Sequence, residues 1–121
     1  MIFFAQSGPP GLFALFAAFV VIHALADFPL QGDYLARQKT RRNAGSHSEW
    51  LIALGAHSVI HAGGVWLVSG SLLLGLVELV CHALIDLGKG EEKYGLVTDQ
   101  SLHLGCKLIY AMILTQGLLP G

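Results

Sequence analysis

Four apolar runs, separated by short polar segments, occupy most of this 121-residue chain. They cover residues 11–26, 51–68, 72–87 and 102–119. With its flanking residues each run reaches roughly 17–20 residues, the short end of the length that a membrane-spanning helix needs. None of the runs has the broad polar face of a helix on the surface of a soluble bundle. We therefore predict an all-α fold, a four-helix transmembrane bundle with up-down topology.

The predicted helices and loops form a single transmembrane domain over residues 1–121. The helices are expected at about 9–28, 50–68, 71–88 and 99–119, and the hydrophilic loops at 29–49 and 89–98. Pro9 and Pro10 precede the first helix, where proline is tolerated, and Pro29 is expected to end or kink it.

The composition supports a membrane protein and argues against a nucleic-acid-binding protein. Hydrophobic residues make up 54% of the chain and charged residues only 12%, whereas a soluble domain averages about 25% charged residues. The chain has 7 Lys and Arg against 8 Asp and Glu, so it lacks the basic surplus that binding to nucleic acid requires.

The basic residues predict the orientation of the bundle. They lie mainly in the two hydrophilic loops, as Arg37, Lys39, Arg41 and Arg42 in the first loop and Lys89 and Lys93 in the second. In an up-down bundle of four helices these two loops share one side of the membrane. The positive-inside rule places that side in the cytoplasm, so both termini are expected on the non-cytoplasmic side.

Four pairs of ionisable side chains interrupt the apolar runs. Each pair joins a histidine to an aspartate or to a second histidine, and each predicted helix carries one pair at a spacing of four residues. The pairs are His23/Asp27, His57/His61, His82/Asp86 and Asp99/His103. Because side chains at i and i+4 lie one turn apart on the same helical face, both members of a pair are expected to point in the same direction.

The four pairs are expected at one depth, near the cytoplasmic face. Three lie at cytoplasmic helix ends, and His57/His61 lie about two to three turns inside their helix. Imidazole and carboxylate ligands together suit Zn²⁺, Mn²⁺ or Fe²⁺, and eight ligands predict two ions rather than one. Two alternatives to a metal site stay open: His–Asp pairs that hydrogen-bond the helices together, and a proton or ion pathway.

The spacing of these residues resembles a known family. The matching segments are His23-x3-Asp27-Phe28-x-Leu30-Gln31, His57-x3-His61, His82-x2-Ile85-Asp86 and Asp99-Gln100-x2-His103. They resemble an uncharacterised family of small bacterial and phage inner-membrane proteins, catalogued as a domain of unknown function. The resemblance implies a multi-pass location in the bacterial inner membrane. The pattern is also distantly similar to bacterial membrane-bound metal-dependent hydrolases, which implies hydrolysis.

Four further polar residues are candidates for the site. Glu78, one turn before His82, is predicted as the catalytic general base for a metal-bound water or as another ligand, with an interhelical hydrogen bond as the alternative. Lys89 is a candidate for holding a substrate phosphate or carboxylate, or else an interfacial anchor. Gln31 and Gln100 are grouped with Lys89 on the substrate side, as donors that orient the neighbouring aspartates.

We therefore expect a membrane metalloprotein, with hydrolysis of a lipid or lipid-linked substrate as the leading hypothesis. A divalent-metal or proton transporter or sensor is the first alternative, and a non-catalytic membrane protein with structural metal is the second. The expected partners are membrane lipid and a further copy of the chain, because glycines such as Gly63, Gly64 and Gly75 permit close helix packing.

Overall fold

The computed structural model describes residues 11–119. Within that range the protein has five α-helices, one short 3₁₀ helix and no strand, which confirms the predicted all-α class. The helices are α1 (Leu12–Asp27), α2 (Gly32–Gln38), α3 (His47–Ser69), α4 (Leu72–Gly90) and α5 (Leu96–Thr115). The 3₁₀ helix spans Arg41–Asn43. Pro9 and Pro10, at the start of the predicted helix 9–28, lie outside the described residues.

The four long helices pack as a ring. Helix α1 contacts α3 and α5, and α4 contacts the same two helices from the other side. Consecutive long helices are therefore neighbours, as short connections favour. Gly75 on α4 permits the close approach of α3, because a Cβ there would lie 3.1 Å from the Ala62 carbonyl oxygen and 3.1 Å from the Trp66 Cβ.

Local sequence explains where α3 and α4 begin and end. The Ser46 side chain caps α3 by accepting a hydrogen bond from the Glu49 backbone N–H at 3.1 Å, and Ser71 caps α4 through the Leu74 N–H at 3.2 Å. Between the helices, Gly70 takes the left-handed conformation at φ 73°, which costs glycine little. Both caps satisfy backbone donors that the first helical turn leaves unpaired.

The first hydrophilic loop was expected without helices, and this expectation is wrong. Residues 29–49 contain α2, the 3₁₀ helix and the first turn of α3. Helix α1 ends before Pro29, and the chain bends by 88° into α2, because proline disfavours a helical conformation in the residue before it. Helix α5 likewise begins at Leu96 and ends at Thr115, about one turn earlier than predicted. The segment from α2 to the 3₁₀ helix packs across the end of the bundle where the second loop also lies.

The interior of the bundle has an apolar half and a polar half. Eight buried residues form the apolar half, which we call the apolar end: Leu15, Phe19, Val65, Val68, Leu74, Tyr110, Ala111 and Leu114. Phe19 and Tyr110 contact edge to face, with ring centroids 6.0 Å apart. The other half of the interior is formed by ionisable side chains, and it lies beneath α2.

One helix in the described part of the chain, α3, is long and apolar enough to cross a membrane, with a mean hydropathy of 1.6 over its most apolar window. Helices α1 and α2 meet the same standard only if they are taken as one bent span. A helix of this kind also occurs in the core of soluble proteins. The transmembrane placement of the bundle therefore stays a prediction.

Candidate metal centre

The four histidine and aspartate pairs meet in one layer inside the bundle. We call this set the polar layer: His23, Asp27, His57, His61, His82, Asp86, Asp99 and His103. None of these residues is more than 9% exposed. The i, i+4 spacing sets the direction of each pair, and the ring of helices turns all four directions inward.

Asp27 connects α1 to α3. Its Oδ1 lies 3.2 Å from His57 Nε2 and 2.9 Å from His61 Nε2. Its Oδ2 lies 3.2 Å from His23 Nε2 and accepts a hydrogen bond from the Gln100 amide at 3.0 Å. One carboxylate therefore faces three imidazoles from two helices.

Asp86 holds the equivalent position on α4. Its Oδ1 lies 3.1 Å from His103 Nε2, and its Oδ2 lies 3.3 Å from His82 Nε2 and 3.6 Å from His57 Nε2. The Lys39 ammonium contacts the same Oδ2 at 3.1 Å. The two oxygens of Asp86 therefore face different histidines, and one of them also faces the segment after α2.

The imidazole rings form a continuous group between these two carboxylates. The ring centroids of His61 and His82 are 3.7 Å apart, and those of His82 and His103 are 4.2 Å apart. Two sets of side chains have ligand atoms within 4.8 Å of one another. One set is Asp27, His57, His61 and His82, and the other is His82, Asp86 and His103.

The chemistry of these donors fits divalent cations. The polar layer contains three carboxylates, and within residues 11–119 one lysine forms an ion pair with it, Lys39 with Asp86. His82 Nε2 and Asp99 Oδ1 are buried without a hydrogen-bond partner, and Asp99 Oδ1 lies 3.4 Å from His103 Nε2. Unpaired polar atoms are costly in a buried site, and coordination of a cation would satisfy them.

Gln100 and Gln31 differ in what they contact. The His23 ring N–H donates to Gln100 Oε1 at 3.0 Å, and the Gln100 amide donates to the carboxylates of Asp27 and Asp99. Gln100 therefore orients three members of the polar layer. The Gln31 amide instead donates to the backbone carbonyl of Asp27 at 3.0 Å, so it stabilises the end of α1 rather than the carboxylate.

Glu78 lies on the inner side of the polar layer. It accepts a hydrogen bond from the Tyr110 hydroxyl at 2.9 Å and forms an ion pair with the Lys107 ammonium. Its Oε2 is 3.3 Å from His82 Nδ1, whereas the Nε2 of the same ring faces Asp86. These contacts match the interhelical hydrogen bond that was the alternative to a general base. His82 Nδ1 has no hydrogen-bond partner, so Glu78 lies beside this ring and is held by Tyr110 and Lys107.

A pocket of about 270 Å³ opens beside the polar layer at the end covered by α2. Lys39, Arg42, Asp86 and Lys89 contribute to its lining. Asp86 therefore belongs both to this pocket and to the polar layer. Lys89, predicted on the substrate side, lies in the pocket and not among the possible ligands, and Gln31 also lines it.

Ion pairs close the rim of this pocket. Arg42 contacts Glu92 at 2.7 Å, and Arg41 contacts the Glu91 carboxylate through two nitrogens at 2.7 and 2.8 Å. The hydrogen bonds from Arg41 lower the pKa of Glu91 below its ordinary value. These pairs join the first hydrophilic loop to the turn after α4, so both basic loops lie at one end of the bundle.

Sequence reasoning missed three residues of the site. Lys107 was not assigned to any contact, although it follows His103 by one turn as Glu78 precedes His82 by one turn. Tyr110, three residues further, shares that face. Those spacings were a usable signal for the contact with Glu78. No sequence signal distinguishes Lys39 from the other basic residues of its loop, which are Arg37, Arg41 and Arg42.

The fold and this layer define the class: an all-α protein with a buried histidine and carboxylate centre. Residues 15–119 match the family described as "Protein of unknown function (DUF3307)", and the chain belongs to that family. No curated protein matches the chain, and no solved structure matches it. Membership of an uncharacterised domain family is therefore confirmed, whereas the inner-membrane location, the significance of the histidine and aspartate motifs and the similarity to metal-dependent hydrolases stay predictions.

Proposed function

We propose that this protein is a membrane-embedded metalloprotein that binds two divalent ions near the cytoplasmic face and hydrolyses a lipid or lipid-linked substrate. The observation that carries this proposal is the polar layer: five imidazoles and three carboxylates, contributed by four helices, converge in a buried space. Metal sites in helix bundles are built in this way, from side chains that project inward from facing helices.

The distribution of apolar side chains supports the membrane location. Large apolar residues are exposed on every long helix, for example Phe13 on α1, Ile52 on α3, Leu84 on α4 and Ile109 on α5. Ionisable side chains form the other half of the bundle interior. Such an arrangement is unfavourable in water but stable in lipid, where exposed apolar surface costs nothing and ionisable groups face the bundle interior.

Helix α2 supports the same placement. It follows an 88° bend after α1, so it runs across the end of the bundle as an interfacial helix does. Tyr34 on α2 and Phe28 just before it are exposed, and aromatic residues are enriched at membrane interfaces. With the basic loops at this end, the positive-inside rule places α2 and the polar layer on the cytoplasmic side of a bacterial inner membrane.

The contacts of Asp86 support two ions rather than one. Its Oδ1 faces His103, and its Oδ2 faces His82 and His57, so this carboxylate would be shared between the two ions. Asp27, His57, His61 and His82 would hold the first ion, and His103 and Asp99 would complete the second with Asp86. Zn²⁺, Mn²⁺ and Fe²⁺ accept such a mixed ligand set.

Hydrolysis is the reaction class that this arrangement supports best. Bound divalent ions lower the pKa of water and polarise a carbonyl or phosphoryl oxygen. The residues of the chain have separate roles: Gln100 orients Asp27 and Asp99, and Glu78 pairs with Lys107 beside His82. The adjoining pocket gives access from the cytoplasmic end. The apolar end closes the other half of the bundle, which argues against a pathway for ions across it.

Metal content tests the first part of the proposal. Purified wild-type protein is expected to hold about two ions per chain by elemental analysis. H61A and H103A each lose about one ion, and D86N loses both, because each substitution removes ligands from one set or from the shared carboxylate. H47A is the matched control, since His47 is exposed at the start of α3 and its loss leaves the metal content unchanged.

Folded wild-type protein without metal after reconstitution with Zn²⁺, Mn²⁺ or Fe²⁺ would overturn the proposal. The second part is tested with metal-loaded protein in lipid nanodiscs, by mass spectrometry of ester, amide and phosphoester lipids before and after incubation. Products that form with wild type and H47A, but not with D86N, support hydrolysis. Two firmly bound ions without any product favour structural metal instead.

A further inference from the structure

The pocket beside the polar layer contains more positive charge than its contacts neutralise. Lys39 is paired with Asp86, and Arg42 is paired with Glu92. Lys89, the third basic residue of the lining, has no ion-pair partner within residues 11–119. The lining therefore offers an ammonium group that is free to meet an anion.

Neutral hydrogen-bonding groups surround this charge. Gln31, Thr40 and Asn43 line the pocket together with the basic residues. They come from three different parts of the first loop, and Lys89 comes from the last turn of α4. A phosphoryl group, with several strong acceptor oxygens, is the anion that such a mixed set of donors suits best.

We propose that this pocket binds the phosphoryl group of the substrate, and that the substrate is a phosphate ester. Lys89 binds the phosphoryl oxygens, and the pocket adjoins the proposed metal centre because Asp86 both lines the pocket and belongs to the polar layer. The proposed phosphate binding depends only on the residues that line the pocket. The hydrolysis of the phosphate ester also rests on the function proposed above.

The position of the pocket indicates where the rest of the substrate lies. The pocket opens at the end of the bundle that carries α2 and both basic loops, beside helices whose outer faces are apolar. An alcohol with an apolar chain would therefore extend along the bundle into lipid. In hydrolysis, the oxygen of water bonds to phosphorus and the ester P–O bond breaks. The departing oxygen keeps that electron pair and takes one proton from the water, which leaves an alcohol and phosphate.

Ligand titration of the metal-loaded protein in detergent tests the pocket directly. Three probes are compared by calorimetry: dioctanoyl phosphatidic acid, inorganic phosphate, and dioctanoylglycerol, which has the same acyl chains without phosphate. Phosphatidic acid is expected to bind wild type. K89Q weakens its binding about tenfold or more, because a charge-assisted contact is lost, and K89R retains binding within about threefold. R42Q is a second variant that also weakens it.

R37Q is the matched control, since Arg37 lies in the same segment, is exposed and is not part of the lining. It changes binding by less than about twofold. Binding of phosphatidic acid alone identifies a lipid as the source of the phosphoryl group. Binding of inorganic phosphate that K89Q also weakens shows that the phosphoryl group is sufficient for binding without a lipid chain.

The proposal is overturned if neither phosphate probe binds, if dioctanoylglycerol binds as tightly as phosphatidic acid, or if R37Q loses as much affinity as K89Q. Metal analysis of the same samples separates this inference from the proposed function. Protein that holds its ions but binds no phosphate would contradict the proposed phosphate site alone. Protein that binds phosphate through Lys89 but takes up no ion would contradict the proposed metal centre alone.

Discussion

The two halves of the bundle interior differ in what they contribute. The apolar end packs Leu15, Phe19 and their neighbours in the way of any helix bundle. The polar layer, about one turn away along the same helices, buries carboxylates and imidazoles that incur a desolvation penalty. The comparison indicates that the apolar end maintains the fold, whereas the polar layer, whose burial costs stability, is the half that carries the proposed function.

The largest effect is expected from truncation in the apolar end. F19A removes a fully buried ring that contacts Tyr110, and we expect it to lower the free energy of unfolding by about 3–5 kcal/mol. Metal content per folded chain should stay unchanged. The measurement is the free energy of unfolding of F19A in mixed micelles, compared with that of metal-free H61A. The division of roles fails if H61A destabilises the metal-free protein as much as F19A does.

The next largest loss of stability is expected at the ion pair of Glu78 and Lys107, which lies between the apolar end and the polar layer. K107M leaves the Glu78 carboxylate buried without its cation, and we expect a loss of about 3 kcal/mol in the free energy of unfolding. The double variant E78L/K107M should recover most of that loss, because no isolated charge remains. Additive losses in this double-mutant cycle would show that the ion pair is not coupled across α4 and α5.

Removal of metal tests how far the polar layer depends on its ligand. At a free ion concentration of about 10 times Kd, bound metal stabilises the folded protein by about 1.4 kcal/mol per ion. A chelator should therefore lower the Tm of wild type and leave the Tm of D86N unchanged. Equal responses of the two proteins to the chelator would contradict an assignment of metal to this layer.

The smallest effect is expected at the exposed rim, from the pair of Arg41 and Glu91. Because the pKa of Glu91 is held below its ordinary value of 4.5, the stabilisation is present above that pH and is lost as the pH falls through the lowered value. R41Q removes the pair, so its Tm deficit of about 1 °C or less at pH 6 should shrink as the pH falls below the ordinary pKa of a glutamate. A deficit independent of pH and salt would assign another role to Arg41.

Much of the fold could be predicted, because helix formation is a local property. The long apolar runs identified all four long helices, with ends that differ by a few residues from those observed. Helix α2 was missed because its seven residues are too short for a periodic signal. Pro29 predicted the bend at the end of α1, but the formation of α2 beyond the bend depends on packing against α3.

The sequence alone determined which side chains share a face. A spacing of four residues brings His82 and Asp86 to one side of α4 in any helix, whatever its neighbours are. The same rule applies to each pair of the polar layer, so its membership was accessible before any packing was known. The role of those residues in binding metal stays a prediction.

Only the tertiary structure decided which of these groups meet. Asp27 contacts His57 and His61 across 30 and 34 residues of sequence, and Lys39 reaches Asp86 across 47. Lys107, one turn after His103 on α5, is neutralised by Glu78 from the facing helix. Such contacts depend on the order and rotation of the helices around the ring, which helical periodicity within one segment does not specify.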